Sequence, residues 1–446
     1  MRDQRPDENR SVWVSETAAL AEGAAPHGAR SSRPPLAART RADVVIVGGG
    51  LTGVSTAWHL IQRRPGLGIA LLEARVLGQG ASGRNGGQVL HWINGVTPEG
   101  PEALRRIHAV TGAGIDLAED LSERFAPGSF RRQGCLEVYT DPRRAEAAEA
   151  HAAELRAAGV PAEFVAPGAL GVHGACGAVL DPLAGRLNGY ALLQAMRGVL
   201  VGAGVDVYEH SAVRRVQAGS EVVCETDGGE VRARALVLAT NAYTPSLGFF
   251  RNGILPLHSH VLATAPMDDA RWRALGWGRW DGFSDDLDRI AYACRTSGGS
   301  LLFGGGGNAA YEYRFGGNLV ESAAGGTRAG LFMRDALHRY LPGVAKVPIA
   351  LRWSGLLGIT LDRVCSMGVT GDHRNVYHAL GYSGHGVALA LLAGRVLADL
   401  YEGNHDPWRD LPFYQKRLLP IPPEPLRWLG YQLYTRATGR SPRKRA

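Results

Sequence analysis

The period of the hydrophobic pattern changes several times along the chain. Residues 43–47 form a short β-branched run that reads as a buried parallel strand. Leu51, Val54, Trp58 and Ile61 follow at helical spacing, and a second apolar run over 69–72 ends at Glu73. Strand, helix and strand in that order predict a βαβ unit. Residues 101–125 and 143–158, rich in Ala, Glu and Arg, predict helices, and 191–202 predicts a helix ended by glycine. Runs at 205–207, 213–216, 221–226 and 231–240 predict successive strands. Runs at 256–264 and 300–304 predict strands of a second, mixed sheet. Residues 376–379 predict a strand that feeds a nearly all-apolar helix over 387–400, which must be buried on most sides. Residues 1–41 show no sustained period and predict a mostly irregular arm, pinned by Trp13.

Nucleotide-type segments thus recur near the start, middle and end, with other sheet segments between them. This predicts an α/β protein: a Rossmann-like dinucleotide-binding domain from discontinuous segments, with a mixed-sheet (α+β) substrate domain inserted. The expected boundaries are an arm at 1–41 and dinucleotide-binding parts at 42–100, 171–250 and 351–410. Substrate parts are expected at 101–170 and 251–350, and a tail at 411–446.

The turn after the first strand carries Gly48, Gly50 and Gly53 as G-x-G-x-x-G, with Glu73 20 residues after the last of them. Gly48 permits the tight turn, Gly50 lets backbone approach a pyrophosphate, and Gly53 lets helix pack on strand. The helix N-terminus offers unpaired N–H groups to phosphate, and the Glu73 carboxylate accepts from ribose hydroxyls. In this strand–turn–helix–strand–acid setting the motif is specific. Two more glycine-rich loops stand out: Ala81-Ser82-Gly83-Arg84-Asn85-Gly86-Gly87 and Gly381-Tyr382-Ser383-Gly384-His385-Gly386. Both make poor core and good ligand-facing backbone.

Composition excludes several classes. At 446 residues, 45% hydrophobic and 20% charged, the chain describes a folded protein with room for two domains. It has no apolar run of about 18 residues and no secretory-type start, so a cytoplasmic location is expected. Five scattered cysteines with no C-x-x-C pair suggest reduced thiols. The formal charge of +7 is not a nucleic-acid footprint, because residues 412–446 carry eight Lys or Arg against one acid, Glu424. No zinc-type spacing or P-loop is present, no metal is expected, and Asp285-Asp286-Leu287-Asp288 reads as a solvated charge cluster.

Seven stretches together resemble the D-amino-acid-oxidase-like (DAO) family of FAD-dependent oxidoreductases. They are VVIVGGGLTG (44–53), LLEARVLGQGASGRNGGQ (71–88), ALVLATNAYT (235–244), LPLHSHVLATAP (255–266), LLFGGG (301–306), RWSGLLGITLD (352–362) and GYSGHGVALALLAG (381–394). Within the family the resemblance points to the gamma-glutamylputrescine oxidase-like subgroup. It implies that Gly48, Gly50, Leu51, Thr52 and Gly53 hold the FAD pyrophosphate and that Glu73, Ala74 and Arg75 meet the adenosine end. Ser82, Gly83, Arg84, Asn85, Gly86 and Gly87 would lie along pyrophosphate, ribityl chain and flavin. Val213 would meet adenine through its backbone, with an ordinary core valine as the alternative. Thr240 and Asn241 would close the strand under the cofactor, and Gly381, Ser383, Gly384 and Gly386 would face the flavin.

A nicotinamide dehydrogenase would not need the loops at 81–87 and 381–386, which favours FAD. The second of them opens a buried helix whose positive end suits the flavin edge where charge collects on reduction. No cysteine shortly precedes Thr360-Leu361-Asp362, so the FAD is expected to be non-covalent. The expected reaction gives hydride from the carbon beside a small-molecule amine to flavin N5, and the imine then hydrolyses. Catalytic or substrate-wall candidates are His258, Arg352, Trp353, Tyr382 and His385. No lysine occurs in residues 1–345, so oxygen or another electron acceptor stays open. The rival reading is a flavin-binding sensor or a subunit of a multi-chain dehydrogenase. The tail is expected to pack on the body through Trp428, Leu429 and Leu433, with no membrane association.

Overall fold

The computed structural model describes residues 9–23, 32–321 and 328–438. Its helices are α1 (Val12–Gly23), α2 (Leu51–Arg63), α3 (Gly100–Phe125), α4 (Ala145–Ala157), α5 (Gly189–Gly202), α6 (Asp269–Ala274), α7 (Arg328–Tyr340), α8 (Val387–Tyr401) and α9 (Leu426–Thr438).

The β-branched run ends the strand Arg39–Val47, which lies at the centre of an eight-stranded sheet. Ile69–Leu72 pairs with it in parallel on one side and Glu230–Leu238 on the other. Val376–Leu380 pairs in parallel with Glu230–Leu238, and Val213–Gln217 and Val222–Thr226 add an antiparallel edge. Strands from three distant stretches of sequence therefore share one sheet, as the repeated nucleotide-type segments predict.

Helices α2 and α8 cover this sheet and touch closely. A Cβ on Gly394 would lie 2.2 Å from Ser55 Oγ, and that hydroxyl donates to Leu391 O at 2.6 Å. The near-continuous apolar character of α8 follows from this, because it is buried along almost its whole length. A nine-stranded sheet forms the second body, with Leu255–Thr264 paired to both Leu301–Gly305 and Ile349–Ile359. Cys135–Tyr139 and Gly177–Asp181 extend it on the far side of Gly282–Asp285. The α/β fold class expected from the sequence is the one observed.

Three expectations are corrected. The described part of the N-terminal arm is irregular over 32–38 but helical over α1, while Trp13 pins it as expected, fully buried with its Nε1 donating to Asn85 O at 2.9 Å. The 285–288 cluster is not solvated, since Asp285, Asp286 and Asp288 are all buried. Tyr340 donates to Asp285 at 2.6 Å, Arg144 pairs with Asp286, and Arg363 donates to Asp288 at 2.7 Å. Burial pushes the Asp288 carboxyl upward, but Arg363, Tyr434 and Arg289 around it hold it below its ordinary value. Finally, the leucines of the tail do not pack: Leu429 is 48% and Leu433 56% exposed, and Trp428 only leans on Phe315.

Candidate active site

The site begins where the central strand ends. Gly48 adopts φ +110°, and a Cβ there would lie 2.6 Å from Ala239 O. A Cβ on Gly53 would lie 1.9 Å from Gly48 O, so only glycine lets α2 close on the strand. Gly50 is the N-cap of α2 and offers no side-chain cap. Ser82 of the second glycine loop supplies one instead, its Oγ accepting from Leu51 N at 2.9 Å. The first-turn amides of Thr52 and Gly53 belong to a helix end of the anion-binding kind.

Two further ties draw the third glycine loop into the same place. Tyr382 is hydrogen-bonded through its hydroxyl to Thr52 Oγ1 at 2.7 Å, and Gly381 N donates to Asn241 Oδ1 at 2.9 Å. Ser383 Oγ accepts from Thr360 N at 3.2 Å. Thr240 Oγ1 is hydrogen-bonded to Thr244 Oγ1 at 2.9 Å, beside the strand end. The structure thus brings together the predicted loops at 48–53, 81–87, 240–241 and 381–386.

Glu73 ends the neighbouring strand and is held by backbone. Its Oε2 accepts from Gly49 N at 2.8 Å and its Oε1 from Arg75 N at 2.9 Å. Burial raises its pKa above the ordinary carboxylate value. Each oxygen keeps a second lone pair for a ribose hydroxyl. Ala74 is exposed beside it. Ser211 N donates to Glu73 O at 2.8 Å, which places Val213, two residues on, along the same rim.

Arg84 is more engaged than its motif suggests. Its Nε donates to Ser354 O at 2.6 Å, its Nη2 donates to Asn9 O at 2.9 Å, and Glu321 lies 3.6 Å from Nε. Arg75 pairs with the same Glu321 at 3.0 Å, and the Tyr243 hydroxyl donates to it at 3.1 Å. Burial draws the Arg84 guanidinium below its usual pKa. Asn85 closes its own loop, accepting from Gly87 N at 2.8 Å and donating to Ser82 O at 2.9 Å. Gly86 leaves room for the Tyr292 ring, 2.7 Å from where its Cβ would stand.

Two cavities meet here. The smaller, about 120 Å³, runs between the 84–86 and 384–388 segments, with Val261, Ile290, Tyr292, Leu356 and Leu357 among its walls. The larger, about 570 Å³, is lined by charged groups, including Glu137, Arg144, Asp286, Asp288 and Arg363. Leu90 and His385 line both. In the larger wall, His91 and His108 stack at 3.9 Å, and His91 Nδ1 lies 2.7 Å from Asp181. Burial pushes the His108 imidazole down to about 4, leaving it neutral.

Of the five catalytic or wall candidates, His385 alone lines these two cavities. His258 is fully buried, with its Nε2 2.7 Å from Asn318 O, while its strand neighbours Ser259 and Val261 face the smaller cavity. Trp353 is fully buried and donates to Arg84 O at 2.9 Å, so it supports the glycine loop from behind. Arg352 lies on the same strand outside both cavities, its carbonyl accepting from Asn9 N at 3.2 Å. Tyr382 is a strut between loops. Sequence reasoning missed Tyr292, Glu321, Tyr243 and Asn9, none of which stands in a glycine motif.

The residues present fit FAD. A helix end without its own side-chain cap, a buried acid at the next strand end and three interlocked glycine loops make an extended cradle for a dinucleotide. A cavity walled by the second and third loops lies alongside. The profile of the DAO family, FAD dependent oxidoreductase, matches residues 43–400. The chain is 28% identical over 393 residues to gamma-glutamylputrescine oxidoreductase of Escherichia coli (strain K12), covering 83% of this chain and 87% of that protein. It is 26% identical over 391 residues to glycine oxidase of Geobacillus kaustophilus (strain HTA426), covering 84% of this chain and 96% of that one. The crystal structure of glycine oxidase from Geobacillus kaustophilus superposes with a TM-score of 0.71 at 23% identity, over 85% of this chain and 99% of that chain.

Proposed function

The chain belongs to the DAO family of FAD-dependent oxidoreductases, and from that premise we propose that it oxidises an elongated, polar amine of the gamma-glutamylputrescine type. It is an FAD enzyme of the kind that acts on amines or amino acids. The observation that carries the finer reading is the pair of cavities joined at Leu90 and His385. The small apolar one suits the reacting carbon and its amine. The large one, with Arg144, Asp286, Asp288 and Arg363 in its wall, suits a charged distal part that glycine or sarcosine lacks.

FAD when bound takes the two electrons that leave as hydride from the carbon beside nitrogen. The loops at 48–53 and 81–87 would hold its pyrophosphate, and the N-terminus of α8 would lie at the flavin edge. Leu90, Val261, Ile290, Leu356 and Leu357 keep water from the reacting end, and His385 stands at the junction through which the substrate passes. The imine leaves the small cavity and hydrolyses to a carbonyl and ammonia. The FAD would be held non-covalently, since no cysteine shortly precedes Thr360 and Cys365 is buried, with desolvation pushing its thiol up to about 12.

Anaerobic bleaching of the bound flavin tests this. Gamma-glutamylputrescine should reduce it faster than putrescine, sarcosine, glycine or D-alanine. Faster reduction by glycine or sarcosine than by any long amine would refute the elongated-substrate reading.

A further inference from the structure

Helix α9 lies on the surface with Thr435 buried and its leucines exposed. Several of its hydrogen-bonding side chains reach back to the body. Tyr431 donates to Tyr311 O at 3.3 Å, and Tyr434 donates to Asp288 at 3.1 Å. Arg427 donates to Pro422 O at 2.9 Å, and Asn308 reaches the backbone at Thr435 O at 2.7 Å. Residues 427, 431, 434, 435 and 438 recur at helical spacing on the side that contacts the body, where Thr435 is buried and Tyr434 is 45% exposed. The aliphatic residues recur at the complementary positions and point to solvent. Leu426 is 59%, Leu429 48% and Leu433 56% exposed. On another face of the helix Trp428 stands edge-on to Phe315, which is itself 61% exposed.

Single exposed leucines need no explanation, but three aligned on one helix face do. The stripe lies in the one segment that holds the chain's charge surplus: residues 412–446 carry eight Lys or Arg and a single acid. That acid, Glu424, is already occupied, paired with the Tyr313 hydroxyl and accepting from Gly316 N. An apolar stripe on a helix that carries Arg436 and runs on in sequence to Arg440, Arg443, Lys444 and Arg445 is complementary to a surface with acyl chains below and anionic groups above. A purely apolar partner would leave the cations without a counterpart.

We propose that α9 is an interfacial anchor, which docks the enzyme on an anionic lipid bilayer through Leu426, Leu429 and Leu433. The helix lies on the surface and does not cross it; among the described residues no helix is long and apolar enough to span a membrane. Docking places the membrane beside the larger cavity, because Tyr434 and Thr438 of α9 line that cavity's wall. The proposal replaces the expectation that these leucines pack on the body, and it does not depend on the identity of the substrate.

Flotation of the full-length, FAD-loaded protein with vesicles tests it. The protein should float with vesicles of mixed phosphatidylglycerol and phosphatidylcholine and stay behind with pure phosphatidylcholine. Moderate salt should weaken the binding without abolishing it, since part of the attraction is apolar. L429E/L433E should lower the bound fraction about tenfold or more, with flavin content and amine-driven bleaching unchanged. L429S/L433S serves if the glutamates disturb folding. Failure to float with anionic vesicles overturns the proposal, as does flotation that the leucine variants leave intact. A concentration-dependent dimer that L429E/L433E dissociates, in a protein that binds no vesicle, would assign the face to a second copy of the chain instead.

Discussion

The Tyr382 hydroxyl and Thr52 Oγ1 stand 2.7 Å apart across 330 residues of sequence, and join the last glycine loop to the first turn of α2. Both residues are buried, and burial pushes the Tyr382 phenol well above its ordinary pKa. The pair is a neutral hydrogen bond that fixes the spacing of two loops. Tyr382→Phe should cost about 1–3 kcal/mol, because Thr52 is left with an unmet hydroxyl. Thr52→Val in the same background should restore part of the loss. Thermal unfolding measures both, and anaerobic flavin reduction should be unaltered in the folded variant. Slowed reduction with an unchanged melting temperature would instead make Tyr382 a group of the reaction.

Gly50 and Gly53 should fail in different ways. A Cβ on Gly53 runs into Gly48 O at 1.9 Å, which is backbone and has nowhere to go. Gly53→Ala should therefore destabilise by at least about 3 kcal/mol and yield little soluble protein. A Cβ on Gly50 meets only Ser82 Oγ, at 2.8 Å, the end of a small side chain. Gly50→Val should fold with a normal circular dichroism spectrum but lose its yellow colour. A folded Gly50→Val protein with its full complement of FAD would sink the assignment of this turn to pyrophosphate.

His378 sets one limit on acid stability. It is almost wholly buried, next to the Phe250 ring and 3.0 Å from Ser366 Oγ, and burial pushes its pKa from 6.5 down to about 4. The folded pKa lies below the unfolded one, so the neutral ring contributes stability that is fully present above 6.5. That stability is lost as pH falls through about 4. Across this window the unfolding free energy should drop with a slope of up to about 1.4 kcal/mol per pH unit from this residue alone. Denaturant unfolding from pH 7 to 4 should show a shallower slope in His378→Gln than in the parent. Equal slopes would mean that other groups carry the acid sensitivity.

Where local sequence settles the geometry, the site is legible. The G-x-G-x-x-G turn, Glu73 and the 81–87 and 381–386 loops all need glycine or a strand-end acid within a few residues, and all four converge. What escapes is set by distant partners. Ser259 and Val261 reach the cavity and His258 does not, a matter of register that the mixed pattern over 255–266 leaves open. Trp353 reads as a wall but is buried behind Arg84, because α1 brings Trp13 and Val12 into its cluster. The 285–288 acids look solvated because their partners Arg144, Tyr340 and Arg363 lie far along the chain. The leucines of α9 defy a rule that holds for most terminal segments, and composition alone gives no warning of it.

One carboxylate holds both arginines that the motifs assign to the cofactor. Glu321 is buried, 3.0 Å from Arg75 Nη1 and 3.6 Å from Arg84 Nε, with the Tyr243 hydroxyl donating to it at 3.1 Å. A diphosphate beside these guanidiniums competes with that carboxylate for the same charge. Glu321→Gln keeps the shape and the bond from Tyr243 but removes the competing charge. The variant should bind FAD about tenfold more tightly, about 1.4 kcal/mol, as read by flavin fluorescence quenching when apo-protein is titrated. The gain should shrink in high salt, since Arg75 is partly exposed and therefore screened. Weaker binding in Glu321→Gln would show the reverse: that the carboxylate holds Arg75 and Arg84 in the pose the cofactor needs, as an orienting group and not a rival.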